Sequence, residues 1–288
     1  MRWTPRGRSE DVEDRRGESP AGGGFGRGGM RLGIGGFLLL AVLSLIFKKD
    51  FFALVSGGPT ASVEPAPASR ESAPPTSPKE EQRIQFVSFV LDDAQKTWAQ
   101  ILPGRYEKAK LVLFSDAISS ACGYASAASG PFYCPGDHKV YIDLSFYDQL
   151  QRSFGAHGEF AQAYVVAHEL GHHVQNLLGI DGEMRRAQQE RPDLANTLSV
   201  RLELQADCLA GVWGHSTGER GILETGDVEA GLNAAAAIGD DRLQRSAGRG
   251  VHPESFTHGS SAQRVRWFRT GLESGAIDAC DTFRARDL

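Results

Sequence analysis

The residues best suited to chemistry lie in Ala167-His168-Glu169-Leu170-Gly171-His172-His173-Val174, which contains the pattern H-E-x-x-H. On a helix, positions four apart share one face, so His168 and His172 can direct two imidazoles at one cation. Zinc accepts nitrogen and oxygen ligands in a tetrahedral set, at about 2.0 to 2.2 Å. Glu169 falls one step further round the helix, beside such an ion and not on it. From there a carboxylate can take a proton from a water attacking a carbonyl. Tyr164, Val165, Val174, Leu177 and Leu178 make the rest of the stretch core-forming. Packing alone does not account for His-Glu-His in such a helix, because burying unpaired polar groups costs several kcal/mol.

A catalytic zinc takes a third protein ligand and keeps one position open. The candidates are Glu203, Asp207, His138, His157, His173, His215, His252 and His258. Glu203 and Asp207 are best placed, again four residues apart on one helix face. Their segment is otherwise apolar through Leu202, Leu204, Leu209, Val212 and Trp213. Glu203 is the expected ligand, and Asp207 the expected acceptor of a hydrogen bond from a ligand histidine. The alternative is a solvated acidic face. His173, next to His172, points elsewhere and reads as a residue that either supports a ligand from behind or packs. The metzincin extension is absent, because Gln175 stands where that pattern has glycine.

Together, His168-Glu169-Leu170-Gly171-His172-His173-Val174-Gln175 and Glu203-Leu204-Gln205-Ala206-Asp207-Cys208-Leu209-Ala210-Gly211 resemble the bacterial neutral zinc metallopeptidase family. Its members are membrane-anchored, gluzincin-like proteins, with a Gly/Arg-rich start, one membrane segment, a Pro-rich tether and a zincin-like domain. The resemblance covers the whole chain. It implies Zn2+ held by His168, His172 and Glu203, Glu169 as general base, and a protein or peptide substrate. Ser255-Phe256-Thr257-His258-Gly259-Ser260-Ser261-Ala262-Gln263-Arg264 matches the family too. By that resemblance His258 or Arg264 stabilises an oxyanion. Read from the residues alone, the same stretch is a helix N-cap followed by a surface arginine.

The elements that position these groups are mostly helical, and the expected class is α+β. Phe86, Phe89, Val90 and Trp98 predict an opening helix ending before Pro103. Leu111–Phe114 is a short β-like run, and Val140, Ile142 and Leu144 alternate with Tyr141 and Asp143 as in a strand. In zincin folds an edge strand at that place pairs with extended substrate; a plain structural strand reads the same. Gly158–Leu178 predicts a long helix stopped by Gly179. A second, Thr197–Trp213, follows Asn196 as N-cap. Further helices are expected over Val228–Ile238 and Ser261–Leu272.

Along the chain, residues 1–31 read as a disordered cytoplasmic arm, rich in Gly, Arg and charge. Residues 32–55 hold an apolar run, Leu32–Phe47, closed by Lys48 and Lys49. Its sixteen residues span about 24 Å, slightly short of a hydrocarbon core of about 30 Å. It is read as a retained single-pass anchor contacting the bilayer through residues 32–47, with a cleaved signal peptide as the alternative. Seven arginines before it, against two lysines after it, favour a cytoplasmic N-terminus and an extracytoplasmic domain. Residues 56–80 form a Pro/Ser/Ala-rich tether, and 81–288 the zincin-like catalytic domain. A net charge of −5 argues against nucleic acid as a partner. The four cysteines, Cys122, Cys134, Cys208 and Cys280, read as two disulfides in an exported domain and otherwise as buried thiols. The rival to an enzyme is a non-catalytic, metal-stabilised envelope module that binds partners. Glu169 separates the two, since a structural site needs no acid there.

Overall fold

The computed structural model describes residues 1–18, 76–154 and 158–288. Their architecture is mostly helical α+β, as the sequence predicts. Strands β1 (Val12–Asp14), β2 (Lys110–Phe114), β5 (Phe132–Cys134) and β6 (Lys139–Asp143) form one sheet in the order β1-β2-β6-β5. β1, β2 and β6 run parallel, with Leu111 paired to Val140 and Leu113 to Ile142; β5 is antiparallel to β6. Leu111, Leu113, Val140 and Ile142 face the main core, while Val112, Phe114 and Tyr141 face a smaller cluster with Ile118. Burial on both faces explains why β2 reads as a nearly continuous apolar run. β3 (Ala117–Ser120) and β4 (Gly123–Ser126) make a separate hairpin.

β6 has neighbours on both sides, so it is not the substrate-accepting edge that its sequence position suggested. Among the described residues the sheet's free edges are β1 and β5. β5 is three residues long, too short for its period to stand out in the sequence.

Helix α1 (Pro78–Ile101) starts three residues before the expected domain boundary. Ser77 and Glu80 form a reciprocal capping box there, with Pro78 in the first turn. α2 (Ser145–Phe154) follows β6, and α3 (Glu159–Leu177) carries the H-E-x-x-H motif. Gly179, with φ of 81°, turns the chain into α4 (Ile180–Glu190). α5 (Ala195–Glu219) carries Glu203 and Asp207. Asn196 is not its cap: it lies inside the first turn, and its side-chain amide donates to the Glu254 carbonyl. α6 (Asp227–Ala237), α7 (Asp240–Ser246) and α8 (Ser261–Ser274) complete the helical layer.

Glycines set how closely three of these helices approach. A Cβ on Gly171 of α3 would stand 2.9 Å from the Ala206 carbonyl oxygen of α5. Between α5 and α8, a Cβ on Gly211 would fall 2.1 Å from the Phe268 oxygen, and one on Gly271 1.9 Å from that of Cys208. Real Cβ atoms do not come so near, so backbone meets backbone at both crossings. Two disulfides are present: Cys122–Cys134 ties the hairpin turn to β5, and Cys208–Cys280 ties α5 to the C-terminal segment.

The expectation of disorder fails for residues 1–18, which are built into the body. β1 pairs with β2, and Trp3 packs edge-on against Phe86 at 5.2 Å. The charges that suggested disorder are paired: Asp11 with Lys108 and Lys110, Arg16 with Asp14, Glu13 with Lys139. Composition registers such charges but not their partners about 100 residues away. The anchor at residues 32–47 and most of the tether lie outside the described residues. Among the described residues no helix is long and apolar enough to cross a membrane.

Candidate metal centre

α3 and α5 cross at Gly171 and Ala206, and this contact sets the two helical motifs face to face. One turn along α3 separates His168 from His172, and on α5 Glu203 lies one turn before Asp207. The ligand atoms of His168, His172 and Glu203 all lie within 4.8 Å of one another. Glu203 places one carboxylate oxygen 3.3 Å from Nε2 of His168 and the other 3.5 Å from Nε2 of His172.

Both imidazoles are held from behind. Nδ1 of His168 donates to Oδ1 of Asp207 at 2.9 Å, and Nδ1 of His172 donates to Oε1 of Gln175 at 2.8 Å. Gln175 must present its oxygen, because its amide nitrogen donates to the Leu202 carbonyl and to Gln205. With protons on Nδ1, each ring turns a free Nε2 lone pair toward the centre, the tautomer that a metal ligand needs. Two neutral imidazoles and one carboxylate fit a zinc ion with a position left for water.

Electrostatics fit the same set. Burial opposes charge on His168, yet its bonded Asp207 and nearby Glu203 raise its pKa to about 10. Burial likewise opposes charge on Glu203, but His172 and His168, with a smaller pull from His258, hold its carboxyl well below the usual range. Without a metal, protons and carboxylate thus neutralise one another; a dication satisfies the same three groups. Glu169 is buried beside them, and burial raises its carboxyl above the ordinary value against the pull of His168 and His172.

Asp207 has a second, larger anchor. Arg264 of α8 is 1% exposed and donates from Nε to Oδ2 at 2.8 Å and from Nη2 to Oδ1 at 2.9 Å. The Tyr164 hydroxyl donates to the same carboxylate and accepts from Arg264 at 3.2 Å. Burial raises the Asp207 carboxyl, but Arg264 and His168 more than reverse that and keep it charged. Arg264 is therefore not a surface arginine: its guanidinium is engaged by Asp207, the Tyr164 hydroxyl and the Ile238 carbonyl. It fixes the residue that fixes His168.

His258 is partly exposed on the loop before α8. Oδ2 of Asp240 accepts the backbone N–H groups of Thr257, His258 and Gly259, and its Oδ1 stands 3.3 Å from Nδ1 of His258. The loop rests on α5, where a Cβ on Gly259 would meet Leu204 and Val200 at 3.2 and 3.3 Å. His258 thereby sits near enough to influence Glu203. The cap of α8 is Ser260, boxed with Gln263, within the stretch that reads as an N-cap in the sequence.

The remaining histidines stand apart. His173 is buried, donates from Nε2 to the Glu107 carbonyl at 2.7 Å and meets the Tyr133 hydroxyl at 3.0 Å, a packing role, one of the two expected. His215 bonds the Leu272 carbonyl and His252 pairs with Glu254. His138 packs against His173, and His157 lies outside the described residues. Three supporting residues escaped the sequence reading of the site: Tyr164, Gln175 and Asp240. The first two had a signal, being four residues before His168 and three after His172 on the ligand face. Asp240 had none.

Fold and site together define a mostly helical α+β protein with a two-histidine, one-glutamate group suited to a metal, His168 buried and His172 and Glu203 partly so. The chain belongs to the family described as "Putative neutral zinc metallopeptidase", whose profile matches residues 1–283. It is similar to "Uncharacterized protein YpfJ" of Escherichia coli strain K12, with 47% identity over 291 residues, 98% of this chain and 99% of that protein. It is also similar to "Uncharacterized protein Rv2575" of Mycobacterium tuberculosis strain H37Rv, with 48% identity over 202 residues, 66% of this chain and 67% of that protein. No solved structure matches it.

Proposed function

We propose that this chain is a zinc-dependent metallopeptidase of zincin-like, gluzincin-type arrangement that hydrolyses peptide bonds in protein or peptide substrates. The convergence of His168, His172 and Glu203, with the buried Glu169 beside that group and outside it, is the observation that carries this reading. His168, His172 and Glu203 would hold the zinc, which would supply Lewis acidity to a water and to the scissile carbonyl. Glu169 accepts the proton of the attacking water and passes it to the leaving amine. His258, steadied by Asp240, donates a hydrogen bond to the developing oxyanion. Asp207 and Gln175 hold the two imidazoles in register. β5, the free sheet edge nearest α3, is the strand on which an extended substrate can add.

The two disulfides support an oxidising compartment, and so a catalytic domain outside the cytoplasm. The apolar run at residues 32–47 is the part of the chain suited to hold that domain at a bilayer.

The test is Glu169→Gln in the full chain, assayed for zinc and for hydrolysis of an unfolded fluorescent protein substrate. Zinc content should be unchanged and hydrolysis should fall by about 10²- to 10⁴-fold. A zinc-loaded wild type no more active than this variant would favour a non-catalytic, metal-stabilised module.

A further inference from the structure

Residues 1–18 and residues 76–288 lie on opposite sides of the apolar run in sequence but in one body in space. β1 contributes an edge strand to the sheet: the Leu111 amide donates to the Asp11 carbonyl and the Arg15 amide to that of Leu113, both at 2.8 Å. Asp11, 6% exposed, takes Lys108, Lys110 and Gln95 at 2.8, 2.7 and 3.2 Å. Arg16 is buried against Asp14, and Lys139 reaches Glu13 at 2.7 Å. Trp3 donates to Glu159, the first residue of α3, at 3.1 Å. Thus the arm touches α1, the central strands and the start of the helix that bears the two histidines.

We infer that this arm and the catalytic domain reside on the same side of any membrane the protein meets. A single crossing between them would put β1 and β2 on opposite sides of a bilayer. It would leave the β2 edge unpaired and Asp11 without its lysines. A pair of crossings needs about 40 apolar residues, and the run from Leu32 to Phe47 has sixteen. The chemistry of that run then fits attachment to the near leaflet.

The arginine count that favoured a cytoplasmic N-terminus weakens on the same grounds. Only basic residues within about 15 to 20 positions of a span weigh on its orientation. Arg2, Arg6 and Arg8 are further from Leu32 than that, and Arg15 and Arg16 are engaged by Glu18 and Asp14 in the folded arm. What is left is Arg27 and Arg31 before the run against Lys48 and Lys49 after it, which gives no bias. This inference does not depend on the peptidase reading.

The experiment uses the full chain in intact spheroplasts, with one cysteine introduced at an exposed arm position, Thr4→Cys, or an exposed domain position, Gln189→Cys. The native cysteines are all disulfide-bonded and leave the background silent. A membrane-impermeant thiol reagent should label both positions, to the same extent before and after lysis. Protection of both until lysis would uphold the shared side while contradicting the oxidising compartment. Labelling of Gln189→Cys with Thr4→Cys protected, or the reverse, would overturn the inference.

Discussion

Along α3, Tyr164, His168 and His172 recur every fourth residue, and Gln175 follows on the same face. Two of the four are the proposed ligands, and the other two hold those side chains or their partners in place. At this scale the most exposed dependency is Asp207, the shared acceptor of His168, Tyr164 and Arg264. Asp207→Asn keeps the shape but removes the charge opposite a buried guanidinium. It should weaken zinc about 10- to 100-fold, read by chelator competition. It should also destabilise the fold by about 3 to 5 kcal/mol, read by denaturant titration, because Arg264 is left without its counter-charge. Unchanged affinity and stability would mean that the network is ornamental. The proposed ligands were legible because two i, i+4 pairs on apolar helices leave few explanations. Arg264 was not: sequence shows an arginine after a cap, and only the packing of α8 on α5 turns it inward.

Elements bring these residues together through two backbone crossings, and Gly171 is where ligand geometry and helix packing coincide. Gly171→Ala should push α3 and α5 apart, costing about 1 to 3 kcal/mol of stability and lowering zinc affinity together. A substitution that changes stability alone would uncouple the crossing from the site. The arm offers a second test through pH. Burial opposes charge on Asp11 and Asp14, but Lys108 and Lys110 hold the first, and Arg16 the second, below their ordinary pKa. Carboxyls lowered in the folded state stabilise it above their unfolded pKa of about 3.9, and that stabilisation is lost as pH falls. Protection of the Val12–Asp14 amides, taken relative to their intrinsic exchange at each pH, should therefore fall below about pH 4, before that of the β6 amides; simultaneous loss would show that the arm has no separate docking equilibrium. The long helices were legible from apolar periodicity and glycine stops. β1, β5 and the hairpin were not, since strands of three or four residues carry too little pattern and their partners are remote.

For the whole molecule, the C-terminal segment is tied to the ligand helix by Cys208–Cys280, which closes a loop of 72 residues in sequence separation. Replacing both cysteines with alanine should cost about 2 to 5 kcal/mol and lower the melting temperature, with zinc retained. The overall class followed from the sequence, but the role of residues 1–18 did not. Short-range composition describes a charged arm, whereas the folded chain spends those charges on distant partners. That finding also decides which protein to measure: the full chain, arm included. The most direct test of the central claim is its zinc content, determined for the wild type, His168→Ala and Glu203→Ala, each verified as folded. One zinc per chain in the wild type, lost from both variants, is the predicted result. A folded wild type that takes up no zinc, or a Glu203→Ala protein that keeps it in full, would contradict the three-ligand site.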